Sequence, residues 1–520
     1  MKKIYKTLIF FLLGAISTFA VPPFSFFPTI FFLGFGIYKI SLLSSIKQTF
    51  LAGWALGFGW FLFGLYWIGS AFIVADTYHI YFMPFAVIFL PSLLAIFWGL
   101  AFLFAKLFTR NNDSSLMMII VLLSLFEYVR AFIFTGFPWL MPSMVLSGNE
   151  YFIQAFSYIG SFACNLVVIT LSVLPFIIFS NIQKKIIVIL ICFIPITSLF
   201  LFSFLRYNNK ETQTYSNQLV TIVQPNIEQK EKWNINKRNI HLKKLIELSN
   251  YSNYKQENLE RLIIWPETSF AGFIPNEKLV LSSLAKKILK NPQSKLVVGL
   301  LRVNQNDIHN SLVFLNSNGE IVYEYDKLHL VPFGEYIPLR HVLSEVANYF
   351  SPKDFSPGNP KPNFHLEGFG DIITLICYEI LFSNEIKKRI TKKTNLLINI
   401  TNDAWFGKTI GPHQHLALAK IKAVELGLPL VRVANTGISA LISPYGEEIT
   451  TINLDKEDTK TIRIVNGLQN TPYKKFGEII FFMLIVIFFV ISLILSSKIR
   501  GTNEKELSIY FRVCFRGSSR

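Results

Sequence analysis

Between residues 7 and 205 the chain is apolar in seven long runs separated by short polar or basic gaps, and an eighth run lies near the C-terminus. Such runs approach the roughly 20 residues a helix needs to cross the hydrocarbon core of a bilayer. The pattern predicts membrane helices over 7–22, 26–45, 49–70, 82–106, 115–136, 155–180, 186–205 and 476–497. The first run follows Lys2, Lys3 and Lys6 in the manner of a signal peptide. A second run follows almost at once and no small-residue cleavage site is evident, so the first reads as a retained span.

Residues 206–475 have a different rhythm. Short β-like runs, among them "LVTIVQ", "RLIIWPE", "KLVVGLLRV", "SLVFLN", "IVYEYDKLHL", "IITLICYE", "NLLINITN", "ISALISP" and "TKTIRIV", alternate with helical stretches. The helical stretches, "NIHLKKLIELS", "EKLVLSSLAKKILK", "NEIKKRITKK" and "HLALAKIKAVEL", are expected to carry their charge on one face. This alternation predicts an α/β layered domain. "NSNGE" and "SPYGEE" mark turns between strands. The Pro-rich "SPKDFSPGNPKPNF" is a long loop, either a lid over an apolar substrate or a plain surface excursion.

Composition agrees with a division between lipid and water. Of 520 residues 52% are apolar, too many for soluble domains alone, and the formal charge is +17. Much of the basic excess flanks the apolar runs: Lys47, Lys106 with Arg110, Lys184 with Lys185, and Lys498 with Arg500 fall on one side when spans alternate. The opposite gaps carry Asp76, His79 and Glu150. Basic residues are retained on the cytoplasmic side, which explains the charge without nucleic acid. The expected organisation is a membrane domain over 1–205, an extracytoplasmic domain over 206–475, an eighth span over 476–497 and a cytoplasmic tail over 498–520.

Several residues stand out against this background. Glu127 and Arg130 lie three apart within the fifth apolar run, where charge is costly; a functional pair and a simple anchoring pair are both open. "FTGFPWLMPS" (134–143) is too rich in Gly, Pro and aromatics to continue a helix and reads as an interfacial loop that lines a lipid site or caps the bundle. Of the four cysteines, Cys164 and Cys192 lie in apolar runs and Cys514 in the tail, so no disulfide framework is legible and Cys377 is a lone thiol in its domain. His413 and His415 have no further ligand spacing around them, and no metal site is expected.

Three strand ends carry polar groups that fit one another chemically. "IIWPETSF" offers Glu267, "YEYDKLHLVPFGEYIPL" offers Lys327 and Glu335, and "ITLICYEI" offers Cys377 and Glu379. A thiol needs a base to become a nucleophile, and a cation to stabilise the oxyanion that its attack creates. From the residues alone Cys377 remains either a small core side chain or that nucleophile.

The order Glu267, Lys327, Cys377, each in its own context, resembles the carbon–nitrogen hydrolase (nitrilase) superfamily. "YDKLHLVPFGEYIP", "ICYEI" and "NITNDAWFG", with the seven-plus-one layout of apolar runs, resemble its membrane branch, the bacterial apolipoprotein N-acyltransferases. The resemblance implies a four-layer α-β-β-α sandwich between spans seven and eight, with a Glu-Lys-Cys triad. It makes Glu267 the general base, Lys327 the oxyanion partner with the Tyr378 N–H, and Cys377 the nucleophile. Glu335 is implied to position the lysine and substrate, with Trp233, Tyr378 and Glu379 near the site and Asn402, Asp403 and Trp405 on the pocket wall. It further implies an acyl donor phospholipid, a thioester on Cys377 and a diacylglyceryl-cysteine apolipoprotein as acceptor, with no cofactor. The expected location is the bacterial inner membrane, with both termini cytoplasmic and the α/β domain periplasmic. Two other readings compete: a membrane-anchored amidase or nitrilase acting on a small amide, and a non-catalytic membrane scaffold.

Overall fold

The computed structural model describes the chain except for residues 1, 76–77, 110–111, 179–184, 211–214, 251–259, 342–343, 346–352, 469 and 496–520. The expected cytoplasmic tail, with Cys514, Lys498 and Arg500, lies outside the described residues, as do Asp76, Arg110 and Lys184.

The N-terminal region is helical: α1 (Lys2–Ser17), α2 (Ile30–Ser41), α3 (Ile46–Leu65), α4 (Ser70–Ala75), α5 (Met83–Phe108), α6 (Asn112–Arg130), α7 (Ala155–Ile178) and α8 (Lys185–Asn208). Among the described residues three stretches are long and apolar enough to cross a bilayer: Ile46–Val74, Ile80–Phe108 and Phe152–Ile178. They coincide with the expected spans at 49–70, 82–106 and 155–180. Shorter apolar helices occupy Thr7–Ala20, Phe27–Ser41, Cys192–Asn208 and Ile479–Leu495. The expected fifth span, 115–136, is cut short: α6 stops at Arg130, because the next residues turn through left-handed backbone at Phe134, Thr135 and Gly136. Helices α1 and α3 pack closely enough that a Cβ on Gly59 would lie 2.0 Å from the Phe11 carbonyl oxygen. Small residues permit such approach where lipid offers no hydrophobic force to drive association.

The α/β region contains two sheets. The first holds β1 (Tyr215–Gln224), β2 (Arg261–Ile264), β3 (Phe273–Ile274), β4 (Lys295–Asn304), β5 (Asp307–Leu315), β6 (Ile321–Asp326) and, from the end of the domain, β13 (Asp458–Val465). Its order is β13-β1-β2-β4-β5-β6, with β3 beside β4; β1, β2 and β4 run parallel and the outer pairings are antiparallel. The second sheet holds β7 (Phe364–Leu366), β8 (Gly370–Ile376), β9 (Thr394–Thr401), β10 (Leu430–Ala434), β11 (Ser439–Ile442) and β12 (Glu448–Ile452), in the order β12-β11-β10-β9-β8-β7. Here β8, β9 and β10 are the parallel centre.

The central apolar runs, β2, β4, β8 and β9, are strands largely buried on both faces, whereas β6 and β13 are buried only in part. Val220, Ile222, Leu262, Ile264, Val297 and Leu312 of the first sheet meet Ile372, Ile376, Leu396, Ile398, Val431 and Val433 of the second in one core. On the outer side of the first sheet, α9 (Arg238–Asn250) and α10 (Lys278–Ile288) bury Leu245, Leu281, Leu284 and Ile288. On the outer side of the second lie α11 (Ser383–Arg389) and α12 (Gly411–Leu426), completing an α-β-β-α sandwich. A short α13 (Pro472–Phe476) leads to α14 (Ile479–Leu495).

Helix α12 departs from the expected pattern of charge gathered on one face. It is buried along nearly its whole length, because α7 covers the side turned away from the sheet. Its two buried charges pair with each other: Lys422 meets Glu425 at 2.9 Å and donates to Ser383 Oγ at 2.6 Å, and Ser383 Oγ donates to Glu425 at 2.7 Å; Lys420 turns outward to Glu448. Sandwich and helical region therefore share one apolar core, in which Leu397 and Ile442 of the sheet join Phe156 and Val168 of α7. The strand β10 escaped the sequence reading because Arg432 interrupts its short apolar run.

Candidate active site

The strand ends of both sheets supply the polar groups. Past β2, Glu267 precedes Thr268, whose φ of +45° is left-handed; past β6 comes Lys327; past β8 comes Cys377, itself at φ +54°. A non-glycine residue in that region is uncommon and is maintained only where the surroundings over-determine it. The sharp turn takes Cys377 out of the strand, and it stays partly exposed while Ile376 before it is buried. Glu267 is 7% exposed and Lys327 1%.

Asn310, in the middle of β5, ties the acids together. Its Nδ2 donates to Glu267 Oε1 at 2.7 Å and to Glu335 Oε1 at 2.9 Å, while its own backbone oxygen accepts from the Lys327 N–H at 2.8 Å. The other oxygen of Glu335 accepts from Lys327 Nζ at 2.8 Å and from the Val331 N–H at 2.8 Å. Burial pushes the Glu267 carboxyl up; Lys327 opposes this and Glu335 adds to it. Burial pushes the Cys377 thiol up to about 12, reinforced by Glu267 and opposed by Lys327. For Lys327 burial favours the neutral amine, yet Glu335, Cys377 and Glu267 outweigh it and hold the ammonium above the ordinary lysine range. Burial and Glu267 thus favour the neutral form of the Cys377 thiol, while its acidic neighbours favour the charged form of Lys327.

Glu379 lies behind the cysteine as a strut. One oxygen accepts from the Ile376 N–H at 2.7 Å, the other from the Leu328 N–H at 2.7 Å and the Tyr325 hydroxyl at 2.8 Å. The residue after Lys327 and the residue before Cys377 are thus held by one carboxylate, across the two sheets. Tyr378 is buried, donates its hydroxyl to the Gly136 carbonyl at 2.9 Å and lies along the Phe137 ring. The "FTGFPWLMPS" loop therefore docks against the turn that carries Cys377. Trp233 is 42% exposed, against Phe273, and its neighbour Lys232 is buried and donates to the Glu267 carbonyl at 3.0 Å and Thr268 Oγ1 at 2.6 Å.

Asn402 is buried and bonds Gln229 and Asn435, whereas Trp405 is exposed. Asp403 belongs to a buried cluster: Arg432 at 2.7 Å, His415 Nδ1 at 2.9 Å and Thr401 Oγ1 at 3.0 Å. Arg432 also reaches Asn399 Oδ1 at 2.6 Å, and Asn399 Nδ2 donates to the Cys377 carbonyl at 3.2 Å. His415 is thus a partner of Asp403, in the first turns of α12. Asn310, Lys232, Asn399 and Arg432 escaped the sequence reading. For Asn310, Asn399 and Arg432 the signal available was a polar side chain inside an apolar strand, which becomes informative only when its partners are known; Lys232 lies in a turn and offered none. Among the described residues no group of three or more His, Cys, Asp or Glu is arranged to hold a metal ion.

A thiol on a left-handed turn past a strand of one sheet, with an acid and a lysine past two strands of the other, in an α-β-β-α sandwich joined to apolar helices, is the arrangement expected of a membrane-associated carbon–nitrogen hydrolase. Residues 219–473 match the carbon-nitrogen hydrolase family model, and residues 13–174 match that of the apolipoprotein N-acyltransferase N-terminal domain. The chain is 31% identical over 497 residues to the apolipoprotein N-acyltransferase of Rhodopseudomonas palustris, covering 91% of this chain and 92% of that protein. It is 32% identical over 510 residues to the apolipoprotein N-acyltransferase of Rickettsia prowazekii, covering 94% and 97%. The chain belongs to the apolipoprotein N-acyltransferase family.

Proposed function

We propose that the protein transfers an acyl chain from a phospholipid to the N-terminal α-amino group of a diacylglyceryl-cysteine apolipoprotein, through a thioester on Cys377. The single observation that carries this reading is family membership along nearly the whole chain, helical region included. Glu267 takes the thiol proton as Sγ attacks the ester carbonyl, and the oxyanion meets the Lys327 ammonium and the Tyr378 N–H. Collapse expels the lysophospholipid alkoxide, which recovers the proton from Glu267, leaving the thioester. The acceptor amine, in its neutral form, then attacks. Glu267 removes a proton from nitrogen, the thiolate departs as the amide forms, and the proton returns to sulfur. Glu335 holds Lys327 in place, Glu379 ties the two strand ends, and Trp233 stands at the rim.

The membrane arrangement belongs to the same proposal: seven spans in 1–205, the catalytic domain at 206–475 on the periplasmic face, an eighth span at 476–497, and both termini in the cytoplasm. Each CH2 of an acyl chain contributes about 0.8 kcal/mol to leaving water, so a site at the membrane surface avoids most of the cost of extracting its substrate. The core shared by α12 and α7 favours this over an amidase on a tether, which needs no such continuity.

The test is intact-protein mass spectrometry after incubation with phospholipid and no apolipoprotein. An acyl adduct on the wild type, removed by hydroxylamine and absent from Cys377→Ala, supports the reading. A folded, lipid-loaded protein without adduct overturns it.

A further inference from the structure

Arg130 and Glu127 are buried at 1% and 0% exposure at the end of α6, and the mechanism above does not use them. Two of the arginine's nitrogens, Nε and Nη2, donate to Glu127 Oε1 and Oε2 at 3.0 and 2.6 Å, while Trp98 Nε1 of α5 donates to Glu127 Oε1 at 2.7 Å. The third nitrogen, Nη1, donates to the Phe137 carbonyl, and the Phe137 N–H returns to the Arg130 carbonyl at 3.2 Å. The arginine thus closes the turn 131–137 with both its main chain and its side chain.

That turn has one bond of its own, from the Gly136 N–H to the Ile133 carbonyl at 2.9 Å, across a strained backbone. Phe134, Thr135 and Gly136 have consecutive φ values of +54°, +73° and +85°, and a Cβ on Gly136 would lie 2.1 Å from the Ala131 carbonyl oxygen. Consecutive left-handed residues persist only where the surroundings fix them. The turn's inner surface is what Tyr378 meets: the tyrosine hydroxyl donates to the Gly136 carbonyl at 2.9 Å and its ring lies along Phe137. Tyr378 follows Cys377 directly.

We propose that the Glu127–Arg130 pair is a positioning device for Tyr378, acting through the 131–137 turn, and thereby aims the N–H next to the nucleophile. The inference rests on the acyl-transfer reading for its kinetic consequence, though not for its structural one. Glu127 fixes the guanidinium plane, the guanidinium fixes the Phe137 carbonyl, and the turn fixes the tyrosine. A lysine at position 130 keeps the charge but has no planar fork with which to hold carboxylate and carbonyl together.

The experiment compares full-length wild type, Arg130→Lys, Tyr378→Phe and the double variant in phospholipid vesicles, by acyl-enzyme formation and by hydrogen exchange of the 377–382 peptide. Each single change is expected to slow acylation by about 10- to 100-fold, as for a misplaced reacting group. The double variant is expected to be no slower than the worse single one, because both changes cut the same linkage. Exchange at 377–382 is expected to quicken in both single variants. Multiplicative rate losses, or unaltered exchange in Arg130→Lys, overturn the inference. A wild type that forms no acyl-enzyme overturns the functional reading instead, and the exchange comparison still decides whether the ion pair orders the tyrosine. Tyr378→Phe tests the far end of the linkage should Arg130→Lys fold poorly.

Discussion

Asn310 donates to Glu267 at 2.7 Å and, through the same amide nitrogen, to Glu335 at 2.9 Å. The two hydrogens of one amide are divided between Glu267, the proposed base, and Glu335, which holds the lysine. Asn310→Ala should therefore release both carboxylates at once, leaving the fold intact but slowing acyl-enzyme formation by about 100-fold, the scale of a catalytic group displaced by an ångström. Single-turnover acylation, with thermal unfolding as the control, checks this; Asn310→Asp should be worse, because it adds a third acid in place of the donor.

The Cys377 thiol, raised to about 12 by burial and next by Glu267, should be slow to alkylate at neutral pH. Only the thiolate reacts, so the rate with iodoacetamide should climb about tenfold per pH unit from 7 to 10 with no plateau. Glu267→Gln removes a charge that raises the thiol pKa, so this variant should alkylate faster at any given pH while losing acyl transfer. A plateau near pH 8 would contradict the proposed neutral resting thiol.

Arg432 is buried between Asp403 and Asn399 at 2.7 and 2.6 Å. Burial alone would raise the Asp403 carboxyl, but Arg432 and His415 outweigh it and hold it well below the usual carboxylate range. Arg432→Leu leaves that carboxylate without its cation and should cost about 3–5 kcal/mol, the range for breaking a buried pair. Unfolding of the detergent-solubilised protein measures it. Asp403 also sets a pH dependence: its depressed pKa contributes stability above the ordinary carboxylate range that is lost as pH falls through 3.8 and below.

Lys232 behaves in the opposite sense. Burial lowers it to about 8, with Glu267 and Cys377 opposing the shift. Between about 8 and 10.5 the unfolded chain keeps a proton that the folded protein has released, so this group's contribution to stability rises with pH across that window. The stability difference between wild type and Lys232→Met, followed from pH 7 to 10.5, isolates it from Cys377, whose raised pKa acts in the reverse direction. A difference that does not move with pH would mean that the amine stays charged.

Much of this protein was written in its local pattern. Apolar runs too long for a soluble core, then short runs every few residues with turn signals between them, required a helical lipid-facing part and a layered α/β part, because each burial periodicity suits one backbone geometry. Glu267, Lys327, Glu335 and Cys377 could be singled out as candidates because each stands in a distinctive stretch, three of them just past a strand and Glu335 in the loop beyond β6. The structure decided what depends on residues far apart in sequence. Nothing local marks "HLALAKIKAVEL" as buried on both sides, since its charges look solvated until α7 is known to cover them and Lys422 to meet Glu425. Nor does Asn310 announce that it joins two acids 43 and 25 residues away, or Arg130 that it closes a turn beneath Tyr378. Periodicity is a property of one segment and survives in the sequence. A hydrogen bond between segments is a property of their packing, and only the folded chain brings its two ends together.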